Sequence, residues 1–186
     1  MPSIASNSAY TKEDAYKTLE RNISWINSAD SKASIMIGVI GFIFGGSSSI
    51  LNPSRIQSLL DANTFWPLLL GIVIGVLVLV SLGSFLATIV FLVLVLVGRT
   101  TPPTDRPKKN FLFFNDISKS NYPEFASMTS KLTKDEFFDD LNSQIHITSK
   151  IATKKYWFLS KAYWLMAVSS ITFAITVMIL HYLPQL

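Results

Sequence analysis

The chain has 186 residues, a formal charge of +4, no cysteine, 49% hydrophobic residues and only 15% charged ones, where a soluble domain of this size carries about 25%. The missing charge is concentrated, because residues 33–54, 62–98 and 162–186, 84 residues together, hold no Asp, Glu, Lys or Arg. This distribution excludes an ordinary soluble globular fold, and the lack of cysteine excludes disulfide frameworks, thiolate zinc sites and cysteine nucleophiles.

In chain order, residues 1–11 are polar and rich in Ser and Asn, and read as a disordered start. Thr11 with Asp14 three residues on resembles a capping box and predicts a helix from about Lys12. Tyr16, Leu19, Ile23 and Ile26 recur at helical spacing and predict one apolar stripe on an amphipathic cytosolic helix over residues 12–34. Nothing between Arg21 and Ala33 breaks a helix, so it is expected to continue into a first span over 35–51, ending near Leu51. About thirty mostly polar residues precede that span without a positively charged start abutting an apolar run, so a cleaved secretory signal is a poor reading.

A loop over 52–64 leads to a second apolar helix, 65–98, longer than the roughly 20 residues a bilayer requires, so it must tilt or protrude. Arg99–Lys109 carries three prolines and reads as a linker. Phe111–Phe114 reads either as a short strand or as a segment lying on the membrane surface. Pro123 opens a short helix over Glu124–Lys131. Thr133 with Glu136 forms a second capping box, starting a helix with Phe137, Phe138, Leu141, Ile145, Ile151 and Ala152 on one side. That helix is expected to run into a third span, 157–183.

The predicted fold is therefore an all-α membrane protein with three transmembrane helices, the first and third extended into a small cytosolic helical bundle. The insert over 99–156 is too small to bury a core alone, so its helix is expected to pack on the N-terminal helix. Lys and Arg number four in residues 1–34, one in the first loop, eleven in 99–161 and none in the tail. This bias places the N-terminus and the insert in the cytoplasm and the C-terminus in the periplasm. Phe65, Trp66 and Tyr182 suit the outer interface; Tyr156, Trp157, Tyr163 and Trp164 suit the inner one.

Several constellations carry candidate chemistry. Two GxxxG pairs, Gly41–Gly45 and Gly71–Gly75, would let the first two spans approach closely in lipid, unless the spacing is coincidental in glycine-rich helices. Ser81, Ser84 and Thr88, and likewise Ser169, Thr172 and Thr176, form weakly polar stripes at i, i+3, i+7. Such a stripe either lines a hydrated path in an oligomer or bonds back to its own helix and glues helices together. Trp25, Asp30 and Lys32 lie at the junction where the first helix meets the bilayer. Asp30 there calls for a cation such as Arg99, Lys155 or Lys161, as a structural ion pair or as a switch. The basic linker Arg99, Arg106, Lys108, Lys109 beside Phe113 and Phe114 would grip a phosphate and stack a base, or simply mark the cytoplasmic side and attract anionic lipid. Asp135–Asp140 offers carboxylates for a metal or for acid–base work, or merely suits the first turn of a helix.

With only His146 and His181, a histidine-rich metal site is excluded. No phosphate-binding P-loop, nucleophile elbow or HExxH occurs, so no enzyme is expected. Three spans without an internal repeat or a buried ionisable pair disfavour a transporter.

Three ordered motifs carry a resemblance. Trp25-Ile26, Ala29-Asp30 and Lys32-Ala33 come first. Phe113-Phe114-Asn115-Asp116-Ile117 follows the second span, and Gln144-Ile145, Ser149, Ile151-Ala152 and Lys155-Tyr156 lead into the third. In this order, over about residues 12–183, the chain resembles the transmembrane effectors of bacterial Pycsar antiphage systems. The resemblance implies an inner-membrane effector that senses a cyclic pyrimidine mononucleotide, cyclic CMP or cyclic UMP, made by a partner cyclase during infection. It implies that the effector then disrupts the membrane and causes abortive infection, with no other cofactor, no nucleic acid polymer and a homo-oligomeric assembly in membrane lipid. On that reading the ligand or switch candidates are Trp25, Asp30, Lys32, Arg106, Lys108, Lys109, Phe114, Asp116 and Lys155. A constitutive membrane scaffold that docks a soluble partner enzyme is the alternative.

Overall fold

The computed structural model describes residues 10–47, 65–97 and 117–182, all helical apart from short turns and ends. Four helices follow in order: α1, Lys12–Ser47; α2, Phe65–Leu96; α3, Tyr122–Ser130; and α4, Lys134–Tyr182. The polar N-terminal residues 1–9, the loop between α1 and α2, the proline-rich linker and the Phe111–Phe114 run lie outside the described residues.

Helices α1 and α4 start where the sequence places a cap. The Thr11 backbone N–H and hydroxyl donate to Asp14 Oδ2 at 2.9 and 2.6 Å, and Asp14 N–H returns a bond to Thr11 Oγ1 at 3.2 Å. Thr133 and Glu136 repeat the arrangement at the start of α4, at 3.0, 2.9 and 3.2 Å. Two orphan donors of the first turn are thus satisfied at each start. Glu136 is used as a cap, which supports the first-turn reading of the acidic run. Asn121 caps α3 by accepting from Glu124 N–H at 2.9 Å, with Pro123 in the first turn.

The described residues belong to two compact units. One draws on Met1–Ala29 and Val97–Lys155, the other on Asp30–Leu96 and Tyr156–Leu186, so α1 and α4 contribute to both.

In the first unit α1 and the start of α4 run parallel, since paired residue numbers rise together. Lys12 Nζ donates to the Lys134 carbonyl at 3.2 Å, the Tyr16 and Phe137 rings lie 6.3 Å apart, and Asn22 bonds Ile145, Thr148 and Ser149. The buried stripe of α1 is not the expected one. Tyr16 and Ile23 are exposed, whereas Ala15, Asn22 and Ala29 are buried, with Leu19 and Ile26 half-buried between them. Small residues bring two parallel helices close together, and the large side chains then pack around the flanks.

The burial spacing of all three long helices alternates three and four. Ala15, Leu19, Asn22, Ile26, Ala29, Ala33, Met36 and Ile40 follow it on α1; Gly71, Ile74, Val78, Ser81, Phe85, Thr88, Leu92 and Val95 on α2; Leu141, Ile145, Thr148, Ala152, Lys155, Leu159, Ala162, Met166, Ser169, Phe173, Thr176 and Leu180 on α4. A period of 3.5 keeps one seam facing its partner when helices wind left-handed about each other.

In the second unit α2 runs antiparallel to α4. Phe91 packs on Phe158 and Trp157, with ring centroids 6.0 and 6.3 Å apart. Further along, Ser81 Oγ donates to the Ser169 carbonyl at 3.2 Å and Ser169 Oγ to the Ser81 carbonyl at 3.0 Å. Thr88, Thr172 and Thr176 bond back to carbonyls of the preceding turn, at 2.7–2.8 Å. The hydroxyl stripes therefore bind helices together or close on their own backbone.

Two described helices, Leu68–Leu96 and Lys134–Tyr182, are long and apolar enough to cross a membrane. The outside of the second unit is apolar as well: Phe42, Leu79, Leu86, Ile171 and Met178 are each more than half exposed. A soluble protein does not leave so large an apolar exterior in water.

The close glycine approach is not seen among the described residues. A Cβ built at Gly41, Gly45 or Gly75 would meet nothing within 4 Å, while Gly71 is buried. Gly41 and Gly45 share an exposed face with Ser34 and Gly38, displaced from the Ala33–Met36–Ile40 seam.

Two predictions follow from this packing. Ser81→Ala and Ser169→Ala should each cost about 0.6 kcal/mol, the size of an interhelical bond in a membrane protein. The bulkier Ser169→Leu should cost several times more by overpacking a buried seam, all read by reversible unfolding in micelles. At the start of α1, the side-chain bond from Thr11, then its backbone bond, hold the Asp14 carboxyl below its ordinary 3.8. A lowered folded value stabilises at neutral pH and is lost as pH falls through it. Protection of the Asp14 amide, measured as its exchange rate relative to the intrinsic rate at each pH, should therefore fall on acidification below about pH 4, and Asp14→Asn should remove that dependence.

Candidate functional site

The first unit holds a group of buried polar side chains at the α1–α4 seam. Asn22, only 3% exposed, occupies a seam position that every neighbour fills with Ala, Leu or Ile. Its Nδ2 donates to the Ile145 carbonyl at 3.1 Å, Thr148 Oγ1 at 3.2 Å and Ser149 Oγ at 2.8 Å. Both hydroxyls are oriented by α4 itself. Thr148 donates to the Gln144 carbonyl and Ser149 to the Ile145 carbonyl, each at 2.8 Å, leaving their lone pairs for Asn22. A polar residue at one core position of a parallel seam sets register at a cost in stability.

Gln144 lies one residue before Ile145, about 100° round the helix from the centre of the Asn22 contacts. It is 6% exposed, and its Nε2 has no hydrogen-bond partner. Lys155, three turns on, is 4% exposed, an unusual depth for an ammonium group.

The sequence-predicted residues divide between the units. In the first, Trp25 is half exposed and Lys155 is buried. In the second, Asp30 is half-buried and Lys32 is exposed, its ammonium 5.6 Å from the centroid of the Tyr156 ring. That is a cation–π distance. Lys161 stands at the same distance from Trp157. Arg106, Lys108, Lys109, Phe114 and Asp116 lie outside the described residues. Among the described residues no group of three or more His, Asp or Glu side chains is placed to hold a metal ion.

Sequence reasoning placed neither Asn22 nor Gln144 among the candidate site residues. A signal for Asn22 exists in hindsight, because it falls in step with Ala15, Leu19, Ile26 and Ala29 at alternating three and four spacing. Reading that stripe through large apolar residues alone hides it. Gln144 sits in the motif preceding the third span but carries no local cue to its burial.

Asn22→Ala should destabilise the first unit by about 1–3 kcal/mol, since it removes bonds from a buried site. Asn22→Leu should recover much of that stability by apolar packing yet loosen the register. Thermal unfolding, with cysteine cross-linking between positions 19 and 145 as the register readout, distinguishes the two effects.

The family described as Pycsar effector protein domain matches residues 14–181. The chain is 29% identical over 177 residues to the Pycsar effector protein GmPycTM of Gulbenkiania mobilis, covering 88% of this chain and 90% of that protein. No solved structure matches it. With the family matched over nearly its whole length, in a helical chain carrying two helices fit to cross a bilayer, this chain belongs to the Pycsar transmembrane effectors, membrane effectors of antiphage defence rather than catalytic enzymes.

Proposed function

We propose that this chain is a three-span effector of the bacterial inner membrane, activated by cyclic CMP or cyclic UMP from a partner cyclase. Activation impairs membrane integrity and stops growth before phage mature. The observation that carries the reading is the family match over residues 14–181, from the first turn of α1 to the end of α4. A first span in α1 is supported by the charge-free stretch that starts at Ala33 and continues beyond Ser47. Eleven basic residues in 99–161 favour a cytoplasmic insert, the side on which a cytosolic cyclase releases its product.

Gating requires two packings of similar energy that the messenger binds unequally. The seam of α1 favours such a pair, because the buried Ala15, Ala29 and Ala33 each offer only a methyl group to interlock. Messenger binding near the insert, with Arg106, Lys108, Lys109, Phe114 and Asp116 as candidate contacts, would bias the α1–α4 packing. Trp25, Asp30, Lys32 and Lys155 are the switch residues of this scheme. The open glycine face at Gly41 and Gly45, with Gly75 on α2, is available for packing between copies in lipid.

The test expresses the chain with its cyclase and records membrane potential on adding cyclic CMP or cyclic UMP. Depolarisation with one of them and none with cyclic AMP is expected; an unchanged potential with intact, membrane-inserted protein overturns the reading.

A further inference from the structure

Among the described residues of the first unit, one buried donor is unmatched. Gln144 Nε2 is enclosed and makes no hydrogen bond, although the amide of Asn22 on the adjoining seam is fully engaged. Buried polar groups are paired in the great majority of cases, and an exception asks for a reason. The neighbouring positions of α4 narrow the reason. Leu141 and Ile147, each within one turn of Gln144, are buried and apolar. An anionic phosphate placed among them would lose its hydration for a single neutral donor, which is unfavourable. A flat neutral heterocycle fits this chemistry, since its faces pack on aliphatic side chains and its edge carries a carbonyl acceptor.

Resting on the function proposed above, we propose that Gln144 reads the pyrimidine ring of the messenger. Its Nε2 donates to the ring carbonyl O2, the acceptor that cytosine and uracil share. Because the amide is enclosed, the ring reaches it only when the packing over α4 opens. The donor is then unsatisfied in the closed packing and satisfied in the liganded one. That difference is a differential interaction of the kind a ligand needs to shift an equilibrium. The same residue thus links recognition of the base to the change in packing, and it does so without distinguishing cyclic CMP from cyclic UMP.

The experiment uses the full chain in lipid nanodiscs. Binding of cyclic CMP, cyclic UMP and 2-thio cyclic UMP, whose sulfur is a poorer acceptor, is measured for wild type and for Gln144→Met, which conserves volume and removes the polar amide. Thermal unfolding is recorded on the same samples. The expected result is a loss of affinity on the order of tenfold in the Met variant for both natural ligands, with unfolding temperature unchanged or raised. The 2-thio analogue should bind wild type more weakly than cyclic UMP, and the Met variant should not discriminate the two. Unchanged affinity in Gln144→Met overturns the assignment while leaving the function intact. Weakened binding with a lowered unfolding temperature and persisting discrimination against the 2-thio analogue also overturns it, since the residue is then structural. No binding of either natural ligand by folded wild type overturns the functional reading, and this assignment with it.

Discussion

The parallel pairing of α1 with α4 is the constraint on which the other features depend. Its repeat of 3.5 residues keeps one row of side chains in contact along each helix. The same alternation of three and four recurs on α2, which joins antiparallel in the second unit. One geometric pattern is held by two different forces. In the first unit, water outside the seam makes apolar burial favourable, and Asn22 supplies register. In the second, where the exterior is as apolar as the interior, burial contributes little, and close packing with the paired Ser81 and Ser169 bonds takes its place.

A seam of this composition suits a protein that must switch. Alanines allow close approach but offer small knobs, so alternative packings are separated by modest energies. Asn22 acts against slippage at one defined point. Asn22 is satisfied in the observed register, and Gln144 Nε2 is not. On the proposed function, small knobs in the seam would let a ligand of limited binding energy shift the packing.

Much of this was legible in the sequence, for identifiable reasons. Helix starts were legible because Thr11–Asp14 and Thr133–Glu136 are local patterns whose partners lie three residues away. The apolar helices were legible because charge is absent over long stretches. The identity of the buried stripe was not. Tyr16 and Ile23 match a helical stripe as well as Ala15 and Asn22 do, and large apolar residues were given the weight. The hydroxyl stripes admitted two readings until Ser81 and Ser169 were placed across from each other, a contact spanning 88 positions.

The sequence alone determined the helical class, the helix starts, the apolar stretches and the family motifs, because each depends on neighbours within a few residues or on composition. Only the tertiary structure decided which face of α1 is buried, that α1 and α4 run parallel, that Asn22 holds three partners on α4, and that Gln144 is enclosed with a donor unmatched. Those facts depend on which side chains meet across more than a hundred residues of chain, and no local pattern encodes that.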